Sequence, residues 1–151
     1  IRHGNLELTK LLISKGANVN GKEGLPLLSS ISREDIDLVK LLVDNGADIH
    51  VRMDYPLMKS IECGSLDIME YLLEAGANVH SRNDLPIRLA AREGNFDMVL
   101  SLIDRHGANV SSNNNEALKN SIDGGHNLVE DLILDRLEGL KSPKVFRVNV
   151  E

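Results

Sequence analysis

The chain has 151 residues, of which 17 are Lys or Arg and 23 are Asp or Glu, for a formal net charge of −6. That balance argues against general nucleic-acid binding, which needs a surplus of cations on one face to neutralise phosphates, and no apolar run approaches the roughly 18 residues of a membrane span. Aromatics make up 3% and Trp is absent, so a core must come from Leu, Ile, Val and Ala, and the single Cys63 cannot form an internal disulfide, which weakly favours a reducing compartment.

In chain order, residues 1–20 predict the end of one helix and then a second helix over 5–15, closed by Gly16. Residues 21–23 form a short connector of turn formers and charge. Leu25-Pro26 opens the next helix, because proline is tolerated in a first turn where its missing N–H costs nothing. That helix runs to about Ser32, and a partner capped by Asp35 runs to about Asn45. Tyr55-Pro56 and Leu85-Pro86 start the same sequence of events again. Leu66, Met69, Leu72 and Leu73 fall on one helical stripe, with Asp67, Glu70 and Glu74 on the other side as a solvated acidic face. Ser65 occupies an N-cap position and Gly76 the left-handed stop. Residues 111–116 replace the proline-led start with a polar run in which Asn115 is the expected N-cap. The last helix continues through Leu134 and Leu137 to Gly139, and the tail 141–151 alternates like a strand, either folding back on the last unit or leading into a further segment. No signal peptide is visible, and because the chain starts inside a unit whose opening helix is mostly missing, it reads as part of something longer.

A shift of 30 residues superimposes these units. The turn position reads Gly4, Glu34, Gly64, Gly94 and Gly124; the helix centre reads Leu12, Leu42, Leu72, Leu102 and Leu132, then Ile13, Val43, Leu73, Ile103 and Ile133. The stops are Gly16, Gly46, Gly76 and, one residue late, Gly107, each followed by Ala, Asn or Asp, and Val or Ile. Ser30, Ser60, Ala90 and Asn120 hold one small-residue register, with Leu27, Leu57, Ile87 and Ala117 one turn earlier. Five copies at a fixed period define an all-α solenoid of helix-turn-helix units with short loops. The expected plan is a partial repeat 1–22, repeats 23–52, 53–82 and 83–113, a polar cap 114–139 and a tail 140–151.

Catalytic signatures are missing: no phosphate-binding glycine loop, no Gly-x-Ser-x-Gly, no His-Glu-x-x-His and no cysteine pair. His50 and His80 recur at one position, but two histidines make a poor zinc site, and the favoured reading is hydrogen bonding within the links. The expectation is therefore no enzyme, no cofactor and no metal. A row of cations, Lys22, Arg52 and Arg82, recurs in one register.

Leu85-Pro86-Ile87-Arg88-Leu89-Ala90-Ala91, Gly-Asn-Phe-Asp-Met-Val at 94–99 and Gly-Ala-Asn-Val-His at 76–80 resemble the ankyrin repeat over about residues 1–139. Two departures stand out. The unit is 30 residues rather than 33, shortened in the finger, and the usual Thr-Pro-Leu-His becomes Leu25-Pro26-Leu27-Leu28 and its equivalents, leaving Asp54 or Asp84 to cap the turn. Short-fingered units of this kind are similar to those of large amoeba-infecting DNA viruses, which implies an intracellular, cytoplasmic location in a host. The resemblance also implies a monomeric, non-enzymatic scaffold that binds another protein through finger tips (Lys22, Arg52, Met53, Arg82, Asn113) and the inner helix face (Arg33, Glu62, Cys63, Arg88, Arg92, Glu93, Asp123). An acidic segment of the partner suits the cation row. The alternatives are the substrate-recognition arm of a ubiquitin-ligase adaptor and the regulatory domain of an enzyme outside this sequence. Asn20 resembles the link asparagine that asparaginyl hydroxylases modify.

Overall fold

The computed structural model describes residues 2–141, and all regular structure among them is helical. The elements are α1 (Arg2–Ser14), α2 (Gly21–Ser32), α3 (Ile36–Asp44), α4 (Val51–Glu62), α5 (Leu66–Glu74), α6 (Ser81–Arg92), α7 (Phe96–Asp104), α8 (Ser112–Asp123) and α9 (Asn127–Lys141). The expected break within residues 1–15 does not occur: α1 is one helix. The tail beyond 141, read as strand-like, lies outside the described residues.

Each even-numbered helix packs against the helix that follows it and, closely, against its even-numbered neighbours, whereas the odd-numbered helices touch one another much less. Tight packing on one side and looser packing on the other curves the stack, with α2, α4, α6 and α8 on its inner side. The core is a continuous seam rather than a central ball. Leu27, Ile31, Leu57, Leu72, Ile87, Leu102 and Ile133 are fully excluded from solvent.

The inner helices are not straight. Each opens on a single residue followed by three left-handed ones, and the regular right-handed helix begins only after them: Lys22-Glu23-Gly24, Arg52-Met53-Asp54, Arg82-Asn83-Asp84 and Asn113-Asn114-Asn115. Asn, Asp and Gly tolerate this conformation best. The Asn run in repeat five is therefore the same turn in different residues, and Asn115 lies inside it (φ 60) rather than at an N-cap. Pro26, Pro56 and Pro86 follow the break by two residues, in the first turn of the regular helix, where no N–H is needed.

The links between repeats are tied in series. Asp54 Oδ1 sits 2.7 Å from His50 Nδ1 and accepts from the Asn78 N–H at 3.2 Å; Asp84 repeats this with His80 (2.6 Å) and Asn109 (3.1 Å). Both aspartates are buried. They join successive links rather than capping the turn, and the two histidines serve hydrogen bonding as expected. In repeat two Gly24 replaces the Asp, and Asn20 takes over by accepting from the Asp48 N–H (2.7 Å) and donating to the Gly46 carbonyl (2.8 Å).

The late stop at Gly107 has a consequence that a constant period of 30 misses. One extra residue precedes it, so everything downstream moves by one. Ser121, not Asn120, is the buried equivalent of Ser30 and Ser60; all three donate their hydroxyl to the carbonyl three residues earlier, at 2.7 Å. Ile133, not Leu132, is the counterpart of Leu102, and Gly125 (φ 69), not Gly124, that of Gly94 (φ 70). The extra residue also explains a second correction. Glu70 is not on a solvated face: it accepts from Ser101 and from His106 Nε2 (3.1 Å) and pairs with Arg105 (3.0 Å). Arg105 and His106 lie in the lengthened turn and reach back to α5. Ser65, finally, stands at the N-cap of α5 without making a cap hydrogen bond, whereas Asp35 accepts from the Leu38 N–H and Asn95 from the Met98 N–H, both at 3.2 Å.

Candidate partner-binding surface

The left-handed breaks project Lys22, Arg52, Met53, Arg82 and Asn113 outward at the tips, all exposed, Met53 to 68%. The same breaks free main-chain carbonyls that an uninterrupted helix would use internally. The Arg82 guanidinium donates to the Arg52 carbonyl at 2.5 Å, and Arg88 donates to the Arg82 carbonyl at 3.0 Å. Arg52 forms a fork on Glu23 Oε2, with Nε at 3.0 Å and Nη2 at 2.6 Å. The row of arginines thus braces the tips as well as charging them.

The expected inner-face residues divide by how much of their charge is already used. Arg88 is mostly buried and pairs with Glu116 at 2.6 Å. Asn113 and Arg88 both donate to that carboxylate, which holds Glu116 below the usual carboxylate range. Arg92 pairs with its neighbour Glu93 (2.9 Å), and its carbonyl accepts from His126 Nε2 at 2.9 Å. Glu62 lies 3.6 Å from Lys59. Lys22 and Arg33 are exposed and have no ion-pair partner among the described residues. Cys63 is half-buried, Asp123 is exposed, and no group of three His, Cys, Asp or Glu among the described residues is arranged to hold a metal.

Residues that the sequence pattern alone did not single out complete the surface. Leu25, Tyr55 and Leu85 occupy one register on three neighbouring inner helices, partly exposed, and Glu116 holds it on the fourth. Lys59 and Lys119 add cations. The signal was present in the 30-residue register, but an apolar residue next to a proline reads first as core.

Charge is segregated across the stack. The inner helices and tips carry Lys22, Arg33, Arg52, Lys59, Arg82, Arg88, Arg92 and Lys119 against Glu23, Asp54, Glu62, Asp84, Glu93, Glu116 and Asp123, of which Asp54 and Asp84 are buried. The outer helices carry Glu7, Asp37, Asp44, Asp67, Glu70, Glu74, Asp97, Asp104, Glu130, Asp131, Asp135 and Glu138, with Arg2, Lys10, Lys40, Arg136 and Lys141 as their cations and Arg105 just beyond α7. The acidic excess of the chain therefore lies on the outer helices, and the inner helices and tips carry a small excess of cations over the acids outside the core. No described helix is long and apolar enough to cross a membrane.

No curated protein matches the sequence. A family model described as ankyrin repeats (3 copies) matches it three times, over residues 1–83, 27–114 and 57–140. Such repeats are generally protein–protein interaction modules and are typically non-enzymatic. With paired helices stacked in register along the described residues and the family's model matched from end to end of that stack, this chain belongs to the ankyrin-repeat family.

Proposed function

We propose that the protein is a non-enzymatic scaffold that holds another protein on its inner, concave side, with contacts from the tips Lys22, Arg52, Met53 and Arg82 and from the inner-helix residues Arg33, Glu62, Arg88, Arg92 and Glu93. The observation that carries this reading is the charge segregation: the acidic excess lies on the outer helices, while the inner helices and tips carry eight cations against five acids outside the core. A partner presenting acidic groups would be steered toward that side, because complementary fields raise the association rate more than they raise affinity. Exposed Met53 adds an apolar contact that adapts to irregular shapes.

The test is an affinity pull-down read by quantitative mass spectrometry, with three baits. These are the wild type, an inner-face variant (Lys22→Glu with Arg33→Glu) and an outer-face variant (Asp37→Lys with Asp97→Lys). Proteins retained by the wild type should persist on the outer-face variant and be depleted on the inner-face one. Equal depletion by both, or depletion by the outer-face variant alone, would move the binding surface to the convex side.

A further inference from the structure

The four methionines divide sharply by exposure. Met58, Met69 and Met98 lie in the seam at 2%, 0% and 0%, whereas Met53 is 68% exposed at the tip of repeat three. Inner helices pack against α4 on both sides, so this exposure belongs to the tip itself. The Met53 backbone is left-handed (φ 58, ψ 63). The equivalent tip positions hold Glu23, Asn83 and Asn114, all polar, and Asn suits this conformation because its short side chain can hydrogen-bond locally. Methionine has no such compensation, so repeat three accepts backbone strain and exposed apolar surface at one residue. A chain that breaks two local rules together usually does so for function. The main chain there is nevertheless held. The Met53 carbonyl accepts from the Ser81 hydroxyl at 3.1 Å, the Arg52 carbonyl accepts from Arg82 at 2.5 Å, and buried Asp54 bridges His50 and the Asn78 N–H. The thioether therefore projects from an anchored turn, and its chemistry can change without loosening the fold.

We propose that Met53 is a reversible oxidation site that switches partner binding, an inference that rests on the concave-face reading above. Hydrogen peroxide is the oxidant. A lone pair of the Met53 sulfur attacks one peroxide oxygen; the S–O bond forms as the O–O bond breaks, and the departing hydroxide takes up the remaining proton as water. The thioether loses two electrons and the peroxide gains them. A methionine sulfoxide reductase reverses the step with two electrons from thiols, releasing the sulfoxide oxygen as water. The oxidised side chain is polar and chiral where the thioether was apolar and adaptable. A partner group that packs on Met53 loses that contact, while the charges of Arg52 and Arg82 in the same row are unchanged. Oxidation therefore shortens the life of the complex and leaves electrostatic steering intact.

The test compares the wild type with Met53→Leu, which cannot form the sulfoxide, each with and without hydrogen peroxide. Dithiothreitol follows every treatment; it reverses a sulfenic acid or disulfide at half-buried Cys63 and leaves methionine sulfoxide in place. Circular dichroism verifies that each sample is folded. Peptide mapping by mass spectrometry should find Met53 oxidised at least about tenfold faster than Met58, Met69 and Met98, which react only after local opening. As baits, the samples are scored on the proteins that the untreated wild type retains and the Lys22→Glu, Arg33→Glu variant does not. Treated wild type should retain at least about fivefold less of them, and methionine sulfoxide reductases should restore it, whereas treated Met53→Leu should match its untreated form. Oxidation of the buried methionines as fast as Met53, unchanged retention by treated wild type, or equal loss from treated Met53→Leu overturns the switch while leaving the concave-face reading standing. If the Lys22→Glu, Arg33→Glu variant retains everything that the wild type does, both fall.

Discussion

Two residues show where local conformation and local charge do work that composition does not announce. Glu34 stands where repeats three and four have Gly64 and Gly94, and it is left-handed (φ 54). A side chain in that region is strained, and glycine is not. Glu34→Gly should therefore raise stability by about 0.5–1 kcal/mol, read as a higher urea midpoint at unchanged slope; a drop would mean that the Glu34 side chain makes a contact worth more than the strain. Glu70 illustrates charge. Burial pushes its pKa up, but the hydrogen bonds from Ser101 and His106 and the charge of Arg105 outweigh burial, so the folded value lies below the ordinary 4.5. A lowered folded pKa contributes stability above the unfolded value and loses it as pH falls through the folded one. Glu70→Gln should thus lower Tm at pH 7 and flatten its decline below about pH 4.5. An unaltered acid limb in that variant would place the acid sensitivity elsewhere.

The helix pair tests the packing. Leu72 has no exposed surface, sits in the central repeat and is enclosed by its own inner helix and its neighbours. Leu72→Ala should cost about 2–5 kcal/mol, and because each repeat touches only its neighbours, such damage can separate the two ends of the stack into weakly coupled halves. A biphasic denaturant curve is the expected signature; a loss under about 0.5 kcal/mol would contradict the seam. Most of the helix pattern was legible because apolar spacing, Pro26, Pro56, Pro86 and the glycine stops all agree. What escaped was conformational or long-range. Nothing in Arg52-Met53-Asp54 announces three left-handed residues in a row. A constant period also could not show that one extra residue before Gly107 shifts Leu118, Ser121 and Ile133 into the seam and brings His106 to Glu70. The tip positions were legible as a register of cations, but not that Arg52, Arg82 and Arg88 are partly spent on Glu23, two carbonyls and Glu116.

Across the whole stack, the side that meets the partner decides what each surface charge does. Surface ion pairs contribute little to stability, ~0–1 kcal/mol each, so the cations of the inner side are more valuable as a recognition field than as struts. Reversing Arg52 and Arg82 together would mix the two roles, because both also brace the tips. Lys22 and Arg33 are cleaner probes, and Lys22→Glu with Arg33→Glu should slow association with the captured partner by about tenfold at low salt, with the gap closing as salt rises. Equal association rates for variant and wild type would remove electrostatic steering from the account. The most direct measurement is hydroxyl-radical footprinting of the protein alone and with that partner bound. Met53 and Tyr55 report on the inner side and the tips, Tyr71 and Phe96 on the outer helices. Binding should reduce oxidation of Met53 and Tyr55 severalfold and leave Tyr71 and Phe96 unchanged; protection of Tyr71 and Phe96 with Met53 and Tyr55 unaltered would contradict the concave-face assignment.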